Sequence, residues 1–280
     1  MIIPEEGLRV HDALQTARAA AQAAGTLVRA RAGAVGAVST KSTAIDLVTA
    51  TDIASGVEAV KVIMHRDPGS TFVVEEDEVY DLARAPRGDL ESGRVWVIDP
   101  IDGTTSFLHG YPCYSVSIAL LQDGEPLVGV VYNAALDEMN WASAGEGAYR
   151  DGNRLTTKLT DSLSRAVLVT GFPYDRTDPL ERQLLALSAF LRHPVQDIRR
   201  DGSAAIDCCH VAAGRCDGYW EYGLHVWDVA AGVLICREAG AKVTDIDGQP
   251  WSARSTSICT ANPALHSAML DLIGAATADF

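Results

Sequence analysis

The first part of the chain alternates helical and extended patterns of apolar residues. From Leu8 to Arg31, apolar residues recur every three or four positions in an Ala-rich segment, which predicts an amphipathic helix. A second helical pattern, Ile53–Met64, follows the segment Asp46–Asp52, in which polar side chains alternate with β-branched ones. Asp52 is a candidate N-cap for this helix, because Asp is among the best capping residues.

Short apolar runs come next, and they predict strands. Thr71–Val74 is a short strand that leads into the acidic run Glu75–Glu78, and Asp81–Gly93 has the composition of a surface loop. Arg94–Ile98 is continuously apolar, which is typical of a buried strand, and Asp99-Pro100 predicts a turn at its end. The further strands predicted in this half are Ser115–Leu121, Leu127–Val131, Met139–Ser143 and Gly147–Arg150, with a hairpin turn at Gln122-Asp-Gly124.

The second half alternates strands with helices. The predicted strands are Val167–Thr170, Gln196–Arg199, Gly218–Glu221 and Lys242–Asp245, and the predicted helices are Pro179–Leu191, Ser203–Ala213, Trp227–Gly240 and Pro263–Ile273. Strands followed by helix–strand alternation predict a layered α/β architecture. Because no segment rich in Gly, Ser or Pro divides the chain, we expect residues 1–280 to form a single domain with two packed halves, roughly 1–155 and 156–280.

Composition and charge limit the classes of function. The chain has 280 residues, 48% hydrophobic and 21% charged, which fits a folded globular protein and excludes a disordered chain, a collagen-like repeat or a coiled coil. The formal net charge of -14 disfavours direct binding to nucleic acid or to an anionic membrane surface. An anionic substrate would therefore have to be attracted by a local feature and not by the overall charge.

The cysteines and the N-terminus bear on the cellular compartment. The six cysteines include no Cys-x-x-Cys pair, so we expect reduced, mostly buried thiols and not a zinc ribbon or a disulfide scaffold. The first residues are acidic where a signal peptide would be basic, and no apolar run approaches the roughly 18 residues of a membrane span. These features predict a cytoplasmic protein without a membrane segment.

The segment Asp99-Pro-Ile-Asp-Gly-Thr-Thr105 carries the strongest chemical signal. Its two carboxylates, Asp99 and Asp102, follow a buried strand around a proline, so a tight turn directs both toward one point. They would repel each other unless a cation lay between them, and hard oxygen ligands suit Mg²⁺. The backbone N–H groups at Gly103 and Thr104 could receive an anion if a helix began there. The alternative is an ordinary surface turn, since Asp, Pro and Gly all favour turns.

Three other acidic positions have a functional and an ordinary interpretation. Glu75 follows a short strand, as Asp99 does, and could meet it, although Glu75–Glu78 alone is typical of a solvated acidic run. Asp228 stands at the start of a predicted helix, where capping alone would account for it. Asp52 has the same two interpretations.

Taken together, these segments resemble the inositol monophosphatase family. The resemblance rests on Asp99-Pro-Ile-Asp-Gly-Thr-Thr105, Trp227-Asp228 followed by Ala230-Ala-Gly232 and Glu238-Ala-Gly240, Asp46-Leu-Val-Thr-Ala-Thr-Asp52 and Glu75-Glu76, in the family's order and rough spacing. It extends from about Leu8 to Ile273. It implies an αβαβα five-layer sandwich of the inositol monophosphatase and fructose-1,6-bisphosphatase type, and a homodimer.

The resemblance also implies a site for two to three Mg²⁺ ions. Carried over to this sequence, Glu75, Asp99 and the Ile101 carbonyl hold one ion. Asp99, Asp102 and Asp228 hold a second, and Glu75 helps to position a third that is bound more weakly.

The remaining functional roles also come from the resemblance. Thr104, with Asp52 nearby, would orient the attacking water, so that these two and Glu75 form the implied catalytic set. The implied substrate contacts are Asp102, Gly103, Thr104, Gly202, Ser203, Ala204 and Glu221. Lys41 resembles a basic residue on a loop that closes near the metals.

The implied activity is Mg²⁺-dependent hydrolysis of myo-inositol 1-phosphate to myo-inositol and phosphate by metal-activated water, without a phosphoenzyme. Histidinol phosphate, fructose 1,6-bisphosphate and adenosine 3′,5′-bisphosphate are the alternative substrates. A regulatory relative that works by binding a protein partner is the alternative from another class. Three positions depart from the family pattern: Val74, where Gly usually precedes the Glu pair, Ser106 and Asp201.

Overall fold

The computed structural model describes residues 9–33, 38–41, 47–278 and 280. Leu8 and Asp46, which begin two of the predicted segments, lie outside these residues. Within them the helices are α1 Val10–Arg31, α2 Ala50–Arg66, α3 Asp77–Ala83, α4 Thr104–His109, α5 Asp178–Arg192, α6 Ala204–Ala212, α7 Val226–Glu238 and α8 Pro263–Thr277. None of these helices combines the length and the apolar character that crossing a bilayer requires.

The strands form a large sheet, a small sheet and one short hairpin. The hairpin pairs β1 Val38–Thr40 with β2 Leu47–Thr49. The large sheet contains β3 Phe72–Val74, β4 Arg94–Asp102, β5 Ser115–Gln122, β6 Glu125–Asn133, β7 Glu138–Ser143, β8 Gly147–Arg150 and β9 Asn153–Arg154, paired in chain order. The small sheet contains β10 Val167–Thr170, β11 Asp197–Arg199, β12 Gly218–Tyr222, β13 Lys242–Thr244 and β14 Ser257–Ala261, in the order β11-β10-β12-β14-β13.

Helices and sheets stack in five layers. The pair α1 and α2 covers one face of the large sheet, α6 and α7 lie between the two sheets, and α5 and α8 cover the outer face of the small sheet. Almost every residue of α7 is buried, as expected of a helix that is covered on both sides. The layered α/β architecture that the sequence predicts is therefore present, and its sequence of layers is αβαβα.

Small side chains allow the outer helices to approach the large sheet. The buried face of α1 consists mainly of alanines, at positions 13, 17, 20, 21 and 24. Gly25 in the same helix lies against Tyr132 of β6, where an added Cβ would come 2.1 Å from the ring. Small side chains on this face thus leave room for a large side chain of the sheet, Tyr132, to pack against the helix.

Several sequence-based predictions need correction. Asp81–Gly93 is not entirely loop, because α3 occupies Asp77–Ala83. The strand predicted to end at Ile98 continues through Asp102, with a break in pairing register between Asp99 and Asp102. The short strands β1 and β2 were not predicted, and neither was β14, which pairs with β12 and β13 in the small sheet.

The six cysteines are all free and buried, in agreement with the prediction that most of them lie in the interior.

Candidate active site

The end of β4 presents two buried carboxyls. Asp99 is 2% exposed and Asp102 is 8% exposed. Asp99 Oδ1 accepts a hydrogen bond from the Ile101 N–H at 3.0 Å, which holds the carboxyl against the backbone of the irregular end of β4. Because the pairing register shifts between the two aspartates, both side chains can project from the same end of β4.

Asp102 is held by the beginning of α6, which belongs to the other half of the chain. Its carboxyl accepts from Ser203 Oγ at 2.5 Å, from the Ala205 N–H at 2.8 Å and from the Ala204 N–H at 3.2 Å. Ser203 is also the N-cap of α6. A carboxylate at free N–H groups of a helix start is a favourable arrangement, so Asp102 joins β4 of the large sheet to α6.

Gly103 makes this junction possible. Its φ is +95°, and an added Cβ would come 2.9 Å from the carbonyl oxygens of Cys113 and Gly202. Both the left-handed backbone and the close packing therefore require glycine here. The helix α4 begins at Thr104, immediately after it, which agrees with the predicted passage from turn to helix.

Thr104 and Asp52 form a hydrogen-bonded pair behind the strand end. Thr104 Oγ1 lies 2.9 Å from Asp52 Oδ1 and 3.0 Å from the Ile101 carbonyl oxygen, and its hydroxyl donates to one of them at a time. Asp52 Oδ2 accepts from the N–H of Thr49 at 2.9 Å and from its hydroxyl at 2.5 Å. Thr49, and not Asp52, is the N-cap of α2, so the prediction of Asp52 as the cap is wrong.

Glu75 and Glu76 share a lysine. Lys41 Nζ lies 2.6 Å from Glu75 Oε1 and 2.5 Å from Glu76 Oε1. Glu76 is 3% exposed, so the acidic run is not simply a solvated face. Burial, and then repulsion by Glu75, raise the pKa of Glu76 to about 7, although Lys41 opposes this. Burial by itself would lower the pKa of Lys41, but the two carboxylates outweigh it and raise that pKa.

Asp228 lies in the first turn of α7. Its Oδ2 accepts a hydrogen bond from the His225 N–H at 2.7 Å, and the N-cap of the helix is His225. The interpretation of Asp228 as the cap is therefore wrong. Among the residues that the structure describes, none donates a hydrogen bond to its other carboxylate oxygen.

The electrostatics of this cluster fit a cation. Burial, followed by repulsion from Glu75, raises the pKa of both Asp99 and Asp228 well above the usual range. Burial also raises the pKa of Asp102 to about 6, although its hydrogen bonds to Ser203 and α6 oppose the shift. Carboxylates that repel one another in this way form the oxygen-rich donor set that Mg²⁺ prefers.

No group of three or more His, Cys, Asp and Glu side chains, within the residues described, is arranged to hold a metal as the structure stands. The cation that lies beside the Glu75 carboxylate in the structure is the ammonium group of Lys41. The donor chemistry fits a divalent cation, and its binding would require these side chains to move together.

Glu221 lies on β12 and has a protected environment. Its Oε2 accepts from the Tyr219 hydroxyl at 2.7 Å, and the carboxyl lies so close to Gly171 that a Cβ there would come 2.3 Å from both oxygens. Burial raises the pKa of Glu221 to about 7, against the effect of the Tyr219 hydrogen bond.

One cavity of about 1220 Å³ unites these groups. Of the residues predicted from sequence, it is lined by Lys41, Glu75, Asp99, Ile101, Asp102, Gly103, Thr104, Gly202, Ser203, Ala204, Glu221 and Asp228. Asp52 is completely buried behind Thr104 and does not line the cavity. All thirteen predicted positions are thus at the cavity or, for Asp52, one hydrogen bond from it.

Sequence reasoning missed several residues that support the site. Thr49 and Tyr219 hold Asp52 and Glu221, and Gly171 leaves room for the Glu221 carboxyl. Asp207, which also lines the cavity, is the single acidic residue in an otherwise largely apolar helix. That isolated charge was the one signal in the sequence that could have identified it.

Comparison with known proteins settles the ancestry of the chain. The model of the inositol monophosphatase family matches residues 10–278. The chain belongs to the inositol monophosphatase family. Over 262 residues it is 38% identical to the inositol-1-monophosphatase of Synechocystis sp. The aligned region covers 94% of this chain and 88% of that protein.

Two further relatives show the range of the family. A solved inositol monophosphatase from Anabaena (Nostoc) sp. has a TM-score of 0.83 and 35% identity, covering 97% of this chain and 99% of that one. The Nus factor SuhB of Pasteurella multocida is 40% identical over 228 residues, which covers 81% of this chain and 82% of that protein. The family thus includes relatives named as phosphatases and relatives named as Nus factors.

The departure at Val74 does not disturb the fold. Val74 is the last residue of β3, pairs with Ile98 of β4 and donates its N–H to the Tyr80 hydroxyl at 2.7 Å. Its backbone is not in the left-handed conformation that would favour glycine. Valine can therefore occupy this position without strain.

Proposed function

We propose that this chain is a Mg²⁺-dependent phosphomonoester hydrolase and that its substrate is myo-inositol 1-phosphate. The observation that carries the proposal is the convergence of the buried carboxyls Asp99, Asp102 and Glu221 with the half-buried Asp228 on one cavity. A family of phosphatases and the 38% identity to an inositol-1-monophosphatase support the choice of substrate.

The carboxylate cluster would hold two to three Mg²⁺ ions through Glu75, Asp99, the Ile101 carbonyl, Asp102 and Asp228. Bound Mg²⁺ neutralises the phosphate dianion and makes water more acidic. The Asp102 carboxylate keeps its negative charge for this purpose because Ser203 and the N–H groups of α6 favour its ionised form.

Thr104 and Asp52 would orient the attacking water. Asp52 accepts two hydrogen bonds from Thr49 and one from Thr104, so the position of the Thr104 oxygen is fixed from behind. A hydroxyl held in this way can accept a proton from water while it donates its own proton to Asp52. Water positioned at the phosphorus attacks directly, and no phosphoenzyme is required.

The other end of the cavity would bind the polyol. The phosphate oxygens would accept from the N–H groups of Gly103 and Thr104, and Glu221 would accept from substrate hydroxyls. Gly202, Ser203 and Ala204 would line the same pocket, and Lys41 would close on the phosphate from its loop.

The test is a substrate panel with Mg²⁺: myo-inositol 1-phosphate, histidinol phosphate, fructose 1,6-bisphosphate and adenosine 3′,5′-bisphosphate. We expect the highest kcat/KM for myo-inositol 1-phosphate, and a loss of about 1000-fold or more in Asp99→Asn, because this carboxylate would be a ligand of both Mg²⁺ ions and its charge is removed. Asp197→Asn, an exposed aspartate on β11, is the control and should retain activity. If the enzyme strongly preferred another compound of the panel, that compound would replace myo-inositol 1-phosphate as the proposed substrate.

A second candidate function is a regulatory role through a protein partner. The similarity to the Nus factor SuhB of Pasteurella multocida favours it. The charge of -14 argues against direct contact with nucleic acid, so the partner would be a protein. If deletion of the gene gave a phenotype that Asp99→Asn still rescued, the regulatory role would be supported against the catalytic one.

Three further properties belong to the same proposal. We expect a cytoplasmic location, in line with the six free cysteines. We expect a homodimer, as the family resemblance implies. We also expect the chain to fold as one domain of two packed halves, each of which supplies residues to the cavity.

A further inference from the structure

Asp207 is a buried carboxyl without a hydrogen-bond partner. It lies in the first turn of α6, four residues after the N-cap Ser203, and it is 1% exposed. Neither of its carboxylate oxygens has a partner among the residues that the structure describes. Because burying a polar group without a partner is costly, such a residue requires an explanation.

Asp217 shows how this fold satisfies a carboxyl that has a structural role. It is 0% exposed, and its oxygens accept from Thr160 Oγ1 at 2.5 Å and from the Val167 N–H at 2.8 Å. Asp102 is likewise satisfied by Ser203 and α6. Asp207 is equally buried and has no such donors in the described part of the chain, so its partner is expected to come from outside the chain.

The surroundings of Asp207 define the chemistry of that partner. Asp207 lines the same cavity as Glu221. Its pKa is raised well above the usual range by burial and then by Glu221, Asp201 and Asp102, while Arg200 opposes the shift. Two carboxyls facing one cavity favour a ligand rich in hydrogen-bond donors, and a polyol carries such donors on several carbons.

We propose that Asp207 is a second polyol-binding residue, which acts with Glu221 and makes the site selective for substrates that carry hydroxyl groups. Both oxygens are closed to solvent in the free protein, so a substrate hydroxyl reaches the carboxyl, directly or through one bridging water, once the side chain turns toward the cavity that the residue lines. Because the group is shielded from solvent, the hydrogen bond forms in a low dielectric and contributes strongly to recognition. This inference rests on the proposed phosphatase function and specifies how its substrate is selected.

The test compares Asp207→Leu and Asp207→Asn with Asp217→Leu and Asp217→Asn. The readouts are thermal unfolding of the free protein and the ratio of kcat/KM for myo-inositol 1-phosphate to kcat/KM for 4-nitrophenyl phosphate. Asp207→Leu should lower this ratio about tenfold or more, mainly through a higher KM, because a buried hydrogen bond to the substrate is lost. Asp207→Asn should lose less, because its amide can still accept a hydrogen bond.

Stability separates a binding role from a structural one. Removing an unpartnered carboxyl should leave the thermal midpoint of Asp207→Leu equal to or above that of the wild type. Asp217→Leu should lower the midpoint, because two donors lose their acceptor, and should leave the selectivity ratio within about twofold.

The outcomes distinguish the two proposals. A wild type that is selective for myo-inositol 1-phosphate, with the same ratio in Asp207→Leu, would overturn the role of Asp207 and leave the proposed function intact. Destabilisation of Asp207→Leu to the extent of Asp217→Leu would likewise assign it a structural role. A wild type that hydrolyses 4-nitrophenyl phosphate but no phosphorylated polyol would overturn the proposed substrate class, and this inference with it.

Discussion

Thr104 illustrates how a single hydroxyl is given a catalytic orientation. Its hydroxyl donates either to Asp52 or to the Ile101 carbonyl, so its single proton is engaged by the protein while the residue lines the cavity. Thr104→Ala should lower kcat about 100-fold or more with little change in KM, whereas Thr104→Ser, which keeps the hydroxyl, should stay within about tenfold of the wild type. Steady-state kinetics with myo-inositol 1-phosphate measure this. Equal losses in the two variants would contradict the proposed role.

Gly171 determines where the Glu221 carboxyl lies. An added Cβ would come 2.3 Å from both carboxylate oxygens, and real structures do not contain such a contact. Gly171→Ala should therefore displace Glu221 and raise the KM for myo-inositol 1-phosphate about tenfold or more, with a smaller effect on kcat.

Gly69→Ala is the matched control for that prediction, because an added Cβ at Gly69 meets nothing within 4 Å. Its KM should equal that of the wild type. If Gly171→Ala kept a wild-type KM as well, Glu221 would not bind the polyol in the proposed way.

At the residue scale, the sequence identified the acidic side chains but not their partners. Asp52 and Asp228 both stand at helix starts, and capping preferences suggested N-cap roles for them. The structure places Thr49 and His225 at those caps and the two aspartates three residues later. Propensity cannot distinguish these two positions because Asp is favourable throughout the first turn.

Among the elements, α6 connects the small-sheet half of the chain to the carboxylate cluster. Ser203 donates to Asp102 at 2.5 Å and accepts from the Ile206 N–H at 3.3 Å. Ser203→Ala should lower the free energy of unfolding by about 1–2 kcal/mol, because it removes both the helix cap and a hydrogen bond to a buried carboxyl. Urea denaturation measures the change. Ser164→Ala, at an exposed serine, should cost far less, and similar values for the two variants would contradict this role of Ser203.

The elements that the sequence did not predict depend on distant partners. β14 has only five residues, follows a Ser-rich segment with turn-forming composition, and is stabilised by pairing with β12 and β13 on either side. α3 begins within an acidic run whose local pattern is that of a solvated surface, yet it buries Val79 and Tyr80. The long apolar elements were predictable because their periodicity is local, whereas these short ones depend on tertiary contacts.

At the scale of the whole molecule, the formal charge of -14 has two separate consequences. Most acidic residues lie at the surface and disfavour anionic partners of large size. A few converge on one cavity from β3, β4, β12 and α7, where they suit cations that in turn attract a phosphate. Composition counts the acids but cannot show which of them meet, since that depends on the packing of the two sheets.

Mg²⁺ should therefore stabilise the whole molecule, and more so as the pH rises. Burial and repulsion raise the pKa of Asp99 and Asp228, so the folded, metal-free protein retains protons there that the unfolded chain releases. When a chelator removes the metal, the free energy of unfolding falls as the pH rises above the pKa values that these carboxyls have in the unfolded chain. Bound Mg²⁺ offsets that decrease. The increase in the thermal midpoint on adding Mg²⁺ should thus be larger at pH 8 than at pH 5. An increase independent of pH would contradict the proposed ligands.

Glu221 allows the same linkage to be measured at a single residue outside the metal cluster. Its pKa is about 7 in the folded protein, against about 4.3 in an unfolded chain, so the folded state binds the proton more tightly. Its contribution to stability is therefore lost as the pH rises from about 4.3 to about 7, at a total cost of about 3–4 kcal/mol. In chelator, Glu221→Gln should match the wild type near pH 4 and exceed its free energy of unfolding by up to that amount at pH 8. Other titrating groups cancel in the difference between the two proteins. Parallel stability curves from pH 4 to pH 8 would show that Glu221 is not held in a site that disfavours its charge.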